Sequence, residues 1–328
     1  MLHDGCPAVN HGISPKLSRP SRRILAQLSI IFTVVVVCNF TFNKERSVFE
    51  FEISRCGEFI QPYSRDPTRI YEEGEANAFY EHLITVFSHV DHIYVLSKEN
   101  CVTKVSTEIA QKTSCISGNN LDECAPTWVL HGSMSHAKRV SFSHAVIMQL
   151  ASQLGHGSIA VIEDDVRVLP RGYSAEFKVD FSGLLKSRDW GIIRFGYRPY
   201  FLQMNGASRC PSRCRCVVQQ HGENFCKLRH TGCDLRSSDM YIIHSQHFLD
   251  VQRSIIGGLK HQAEDMIVDL RPLSSLKDQW LIIPQATVQS HLDIPFDYQV
   301  GLGALFVSKC VLPRPLPLSA QQQILGVV

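Results

Sequence analysis

Three consecutive carboxylates, Glu163, Asp164 and Asp165, stand directly after the apolar run Ile159-Ala160-Val161-Ile162. A short, wholly apolar run of this kind reads as a strand buried on both faces of a sheet. Ligands of open α/β sheets collect at the carboxyl ends of such strands. Carboxylates placed there can hold a hard divalent cation through oxygen, with positions left for the oxygens of a diphosphate. The alternative reading is an acidic start to a solvated turn. A second acidic block, Gln262 to Asp269, contains Glu264 and Asp265. One carboxylate there can take a proton from an attacking hydroxyl, with Asp265 the first candidate base and Glu264 its substitute; a solvated helix start competes with that reading.

The elements that must position these groups follow from hydrophobic spacing. Phe79, Leu83, Phe87 and Val90 recur at helical intervals, and His92 to Ser97 then reads as a buried strand. Phe142, Val146, Leu150 and Leu154 predict a helix that Ser141 caps and that Gly155 and Gly157 stop. Further strands are expected at Gly191 to Phe195, Met240 to His244 and Trp280 to Ile283, with a helix over Ser245 to Ile256. Helices alternating with apolar strands predict an α/β domain with a mostly parallel central sheet.

At this point the sequence resembles a family. Ser143-His144 followed by AVIEDDVRVLP (160–170) is similar to the glycosyltransferases of family 25, the lipooligosaccharide and procollagen galactosyltransferases. Trp190 to Gly196, WGIIRFG, and Asp239 to His244, DMYIIH, resemble later blocks of that family, in the same order, so that the likeness covers about residues 88–291. The resemblance implies a GT-A fold, Rossmann-like with flanking helices, and an inverting, metal-dependent transfer of a hexose from a UDP-sugar, UDP-galactose by resemblance, to a hydroxyl of a glycan or glycoprotein. It implies Mn2+ or Mg2+ held by Glu163 and Asp165, with Asp164 at the donor and His291 as a further ligand. Val95, Leu96 and Ser97 would wall the donor base and ribose, while Lys138 and Arg139, before a helix, would meet phosphate. An N-acetylglucosaminyltransferase-like GT-A enzyme and a catalytically silent binding protein of the same fold remain as alternatives.

The chain has 328 residues, of which 44% are hydrophobic, enough for a substantial core and too many for a disordered tail. A net charge of +2 lacks the basic excess of a nucleic-acid binder. Residues 24–42, ILAQLSIIFTVVVVCNFTF, carry no charge and follow Lys16, Arg19, Arg22 and Arg23. That pattern predicts a transmembrane signal anchor with residues 1–23 cytosolic and the remainder lumenal, a type II topology at the Golgi or ER membrane; a cleaved signal peptide is the competing reading. Residues 43–74 then read as a stem, 75–310 as the transferase domain and 311–328 as a tail. Five of the twelve cysteines fall in a Cys-rich insertion at 206–233, with spacing unlike a standard zinc site. Disulfides are expected, with a metal knuckle as the alternative; since five is odd, one partner lies elsewhere or one thiol stays free.

Overall fold

The computed structural model describes Cys56 and residues 60–62, 87–97, 111–121, 123–126, 129, 135–163, 166–168, 175–187, 189–199, 210, 212–217, 225–229, 231, 233, 235–260, 271–283, 287–289, 303, 305, 306 and 310. All of them lie in one compact unit, Glu50–Val328. In chain order the strands are β1 (Ile60–Pro62), β2 (His92–Ser97), β3 (Thr113–Ser117), β4 (Ser158–Glu163), β5 (Val166–Val168), β6 (Ile192–Arg194), β7 (Arg198–Pro199), β8 (Cys216–Val217), β9 (Phe225–Leu228), β10 (Leu235–Arg236), β11 (Met240–His244), β12 (Gln279–Ile282) and β13 (Thr287–Gln289). The helices are α1 (Gly118–Leu121), α2 (Ser135–Gln153), α3 (Ala175–Ser187), α4 (Phe248–Lys260) and α5 (Arg271–Ser274).

Nine strands make the main sheet, in the order β1-β3-β2-β4-β11-β6-β12-β9-β8. The pairs β2/β3, β2/β4 and β6/β12 are parallel, whereas β1/β3, β4/β11, β6/β11, β9/β12 and β8/β9 are antiparallel. The expected mostly parallel sheet is therefore corrected to a mixed one. A parallel return needs a long crossover, usually a helix. Among the described residues between β6 and β11 there are short strands and a single helical turn, and β11 runs back between β4 and β6 in the opposite sense.

Side-chain alternation along the strands divides the core into two layers. Val95, Ala160, Ile162, Ile193, Met240, Ile242, Trp280 and Ile282 face one layer, where Phe181 and Leu184 of α3 pack on them. On the opposite face α2 lies against α4, and the buried pair Gln149 and Gln252 joins them through a 2.6 Å hydrogen bond. Helix α2 begins at Ser135, so Ser141 lies inside it, fully buried, and does not cap it. The apolar stripe marks only the part of α2 that meets the sheet; Ala137, Lys138 and Arg139 extend the helix toward its start because they are good helix formers. Its end is as expected, with Gly155 at φ 72°.

The cysteines are paired as Cys56–Cys124, Cys210–Cys310, Cys214–Cys233 and Cys216–Cys226, and Cys115 is also disulfide-bonded. Of the two outcomes open to an odd cluster, an outside partner or a free thiol, the structure shows the first, with Cys210 bonded to Cys310. Within the Cys-rich segment, β9 and β8 extend the edge of the main sheet. Cys210, Cys214, Cys226, Cys233 and Cys310 join Tyr197, Leu235, Leu281 and Phe306 in a second apolar core. At the other edge, β1 comes from the stretch read as a stem. Pro62, which cannot donate to a ladder, sits there on an edge strand.

The expected membrane span at 24–42 lies outside the described residues. Among those described, no helix is long and apolar enough to cross a membrane. The type II topology, and the Golgi or ER address drawn from it, are accordingly not retained.

Candidate functional site

Strands β2 and β4 end side by side, and their parallel register sets Leu96 beside Glu163. Val95, Leu96 and Ser97 are buried there, so the expected donor wall and the first carboxylate of the triplet share one sheet edge. Glu163 is half-buried and strongly oriented. Its Oε1 accepts from Ser238 Oγ at 2.6 Å and lies 3.2 Å from His144 Nε2. Its backbone N–H donates to the Asp239 carbonyl at 2.8 Å. The His144 ring is fully buried on α2, with Nδ1 2.6 Å from the Tyr241 hydroxyl. A carboxylate only accepts, so Nε2 carries the imidazole proton and Nδ1 accepts from the phenol. Burial and the negative charge of Glu163 push the Tyr241 hydroxyl well above its ordinary range, against the smaller opposing effect of Arg194, which keeps the phenol a donor.

The loop that carries Ser238 is held from below. Arg194, fully buried at the end of β6, donates from Nη1 to the Leu235 carbonyl at 2.8 Å and from Nη2 to the Ser237 carbonyl. Ser237 Oγ donates to the buried Asp239 carboxylate, and Ser237 itself adopts φ 92°, a region a non-glycine residue seldom occupies. Such backbone strain persists only where surrounding contacts enforce it. Here the buried guanidinium and the Asp239 carboxylate do so, and the outcome is a serine hydroxyl placed on Glu163.

The remaining expected site residues divide between two groups. Lys138 and Arg139 lie inside α2, and the Arg139 side chain is exposed while its carbonyl accepts from Ser143 Oγ at 2.9 Å. Asp164, Asp165, Glu264, Asp265 and His291 lie outside the described residues. For Asp165 and His291 the neighbouring strands are nevertheless paired: β5 and β13 form an antiparallel ladder with Val166 opposite Gln289. Asp165 directly precedes Val166 in sequence, and His291 follows Gln289 by two positions.

Among the described residues no group of three or more His, Cys, Asp or Glu could hold a metal ion. Glu163, the described member of the expected metal set, gives Oε1 to Ser238 and His144. These donors occupy Oε1, and Asp165 and His291, the other expected ligands, lie outside the described residues. The expected metal-binding character is corrected in that sense, and no step below is routed through a metal.

Four residues of this site escaped the sequence reading. His144 was visible only as part of a motif, and Tyr241 reads as one more apolar position of a buried strand. Ser238 and Arg194 carry no local signal, because their partners lie 75 and more than 40 residues away. Comparison of the chain with known protein families gives no match, and comparison with curated proteins gives none either.

Proposed function

We propose that the chain is a glycosyltransferase that moves a hexose, galactose by resemblance, from a UDP-sugar to a hydroxyl of a glycan or protein. The observation that carries this reading is the oriented Glu163 carboxylate at the shared carboxyl edge of β2 and β4, at the head of the Glu163-Asp164-Asp165 triplet. Sugar transfer requires a preorganised polar pocket for a nucleotide and a carboxylate to take the acceptor's proton as the anomeric carbon is attacked. Glu163, braced by His144 and Ser238, is proposed to fix the end of β4 from which Asp164 and Asp165 follow, and Asp265, or Glu264 in its place, is proposed as the base.

The test is release of UDP from a panel of UDP-sugars by the full chain, with and without added Mn2+. Turnover above background with at least one UDP-hexose is expected, together with a fall of at least tenfold in Glu163→Gln that leaves cooperative unfolding intact. A panel on which no UDP-sugar is cleaved or bound would overturn the proposal. A second reading, a silent binding protein, is favoured by the engagement of Glu163 in internal hydrogen bonds. It predicts UDP-sugar binding without any turnover.

A further inference from the structure

The Cys216–Cys226 disulfide lies at the rim of the main sheet, where β8 is the outermost strand. Strand β8 meets β9 through two residue pairs, Cys216 with Leu228 and Val217 with Lys227, and the Arg229 N–H donates to the Arg215 carbonyl at 2.9 Å just beyond them. The disulfide ties the same two strands diagonally, since Cys226 stands two places along β9 from the ladder partner of Cys216. Strand β9 is also held from its other side. It pairs with β12, buries Phe225 in the main core, and anchors Lys227 on Asp189 at 2.8 Å and on Asp278 at 3.1 Å. With the disulfide open, β9 keeps those contacts, whereas β8 keeps a ladder of two residues.

A disulfide opens by attack of a thiolate on one of its sulfurs, so access and the ease with which the other sulfur leaves set the order in which bonds yield. Among the described cysteines, Cys216 and Cys124 are half-buried and the rest are buried. Local charge separates these two. Segments 212–217 and 225–229 carry Arg213, Arg215, Lys227 and Arg229 and no carboxylate, and Arg215 and Arg229 are exposed. Cationic surroundings favour a thiolate. Cys124 instead follows Asp122 and Glu123, and its Sγ lies 3.3 Å from the Leu121 carbonyl oxygen, surroundings that disfavour one. Cys216 and Cys226 are also separated by only 10 residues, so the released segment is short and closing it again costs little chain entropy.

We infer that Cys216–Cys226 is a redox-sensitive latch, which releases β8 from the sheet edge when the chain meets a dithiol reductant. One thiolate of the dithiol attacks Cys216 Sγ; the bond to Cys226 breaks, and Cys226 leaves as a thiolate that takes a proton as β8 lifts and admits water. The second thiol of the reagent, deprotonated, attacks the mixed disulfide, closes the reagent into a cyclic disulfide and frees Cys216. Two electrons pass from the dithiol to the cysteine pair, and an oxidised dithiol reverses the transfer. The open state leaves one edge of β9 unpaired. The latch is independent of the glycosyltransferase reading.

Timed exposure of the native full chain to dithiothreitol, quenched with N-ethylmaleimide and mapped by peptide mass spectrometry, tests it. Cys216 and Cys226 are expected to be labelled together, about tenfold faster than Cys56, Cys115, Cys124, Cys210, Cys214, Cys233 and Cys310. Amide hydrogen exchange of the partly reduced chain should rise over residues 212–229, stay unchanged in β4 and β11, and return to its starting pattern on reoxidation. The paired replacement Cys216→Ser and Cys226→Ser is expected to reproduce that pattern without reductant. If another of the described cysteines is labelled before Cys216, if the pair resists the dithiol until the chain unfolds, or if the first reduction raises exchange across the whole sheet, the inference is wrong.

Discussion

At the amino edge of the sheet, opposite Glu163, two histidines make stability depend on pH. His92 opens β2, its Nε2 is 2.8 Å from Ser114 Oγ, and its ring stacks on His156 with centroids 4.9 Å apart and planes 4° from parallel. Lys112, Tyr94 and Asp91 complete the surroundings; Lys112 donates to the carbonyls of Phe87 and Val90, and Asp91 accepts from the N–H of Gly157 at 2.6 Å and of Ser158 at 3.1 Å. Burial first, then the neighbouring His156 and Lys112, lowers the His92 pKa from 6.5 to about 4. His156 is lowered as well, by burial, against the opposing pull of Asp91. The unfolded chain takes up these protons near pH 6.5 and the folded chain does so only at lower pH. The contribution to stability is therefore complete above about pH 6.5 and is lost as pH falls toward about 4. The full shift at His92 corresponds to about 3 kcal/mol, and partial solvent access at the sheet edge reduces this to about 1–2 kcal/mol. Urea unfolding of the oxidised chain at a series of pH values between about 7.5 and 4.5 measures it directly. His92→Gln should lose about 1–2 kcal/mol less than the wild type over that range at constant m-value. Parallel stability curves for the two proteins, or a His92 ring that titrates near pH 6.5 by NMR, would refute the reasoning.

Other predictions concern packing, cross-links and the buried network. A Cβ on Gly191 would meet the Lys277 carbonyl at 2.6 Å and the His247 ring, so Gly191→Ala should lower stability by more than about 2 kcal/mol in denaturant titrations. Cys210–Cys310 closes a separation of 100 residues and Cys216–Cys226 one of 10, so paired serine replacements should cost about 4–5 and about 3 kcal/mol respectively, compared by thermal unfolding. Tyr241→Phe removes the donor to His144 and should cost about 1–2 kcal/mol; in the wild type, ultraviolet titration should show the Tyr241 and Tyr94 phenols resisting ionisation beyond pH 10 until the chain unfolds, and the variant should lose one of them.

Much of the element pattern was legible because it is written in local composition. Ile159 to Ile162 has no polar residue to face solvent, so a strand buried on both sides follows, and all four residues are buried. Met240 to His244 is a strand with the expected bounds, and Gly155 ends α2 because it takes a positive φ readily. The start of α2 was misplaced since apolar spacing reports only where a helix touches the core, and its first turn does not. Strand β3, Thr113–Ser117, has no local signal; its polar Thr113 and Ser117 are buried by neighbours on both sides, which no local pattern announces.

What the sequence by itself determined is where carboxylates follow an apolar strand, where a helix must stop, and that an odd cluster of cysteines leaves one to pair at a distance or to stay free. These depend on residues adjacent in the chain, whose conformational preferences act before any fold exists. Only the tertiary structure decided that β11 runs against β4 and β6, that Cys310 is the partner of Cys210, and that Arg198 stands opposite Arg236. It also decided that Glu163 answers to His144 and Ser238. Each of these pairs joins residues that only become neighbours once the sheet has assembled, and a buried hydrogen bond gains its strength from the exclusion of water that assembly brings.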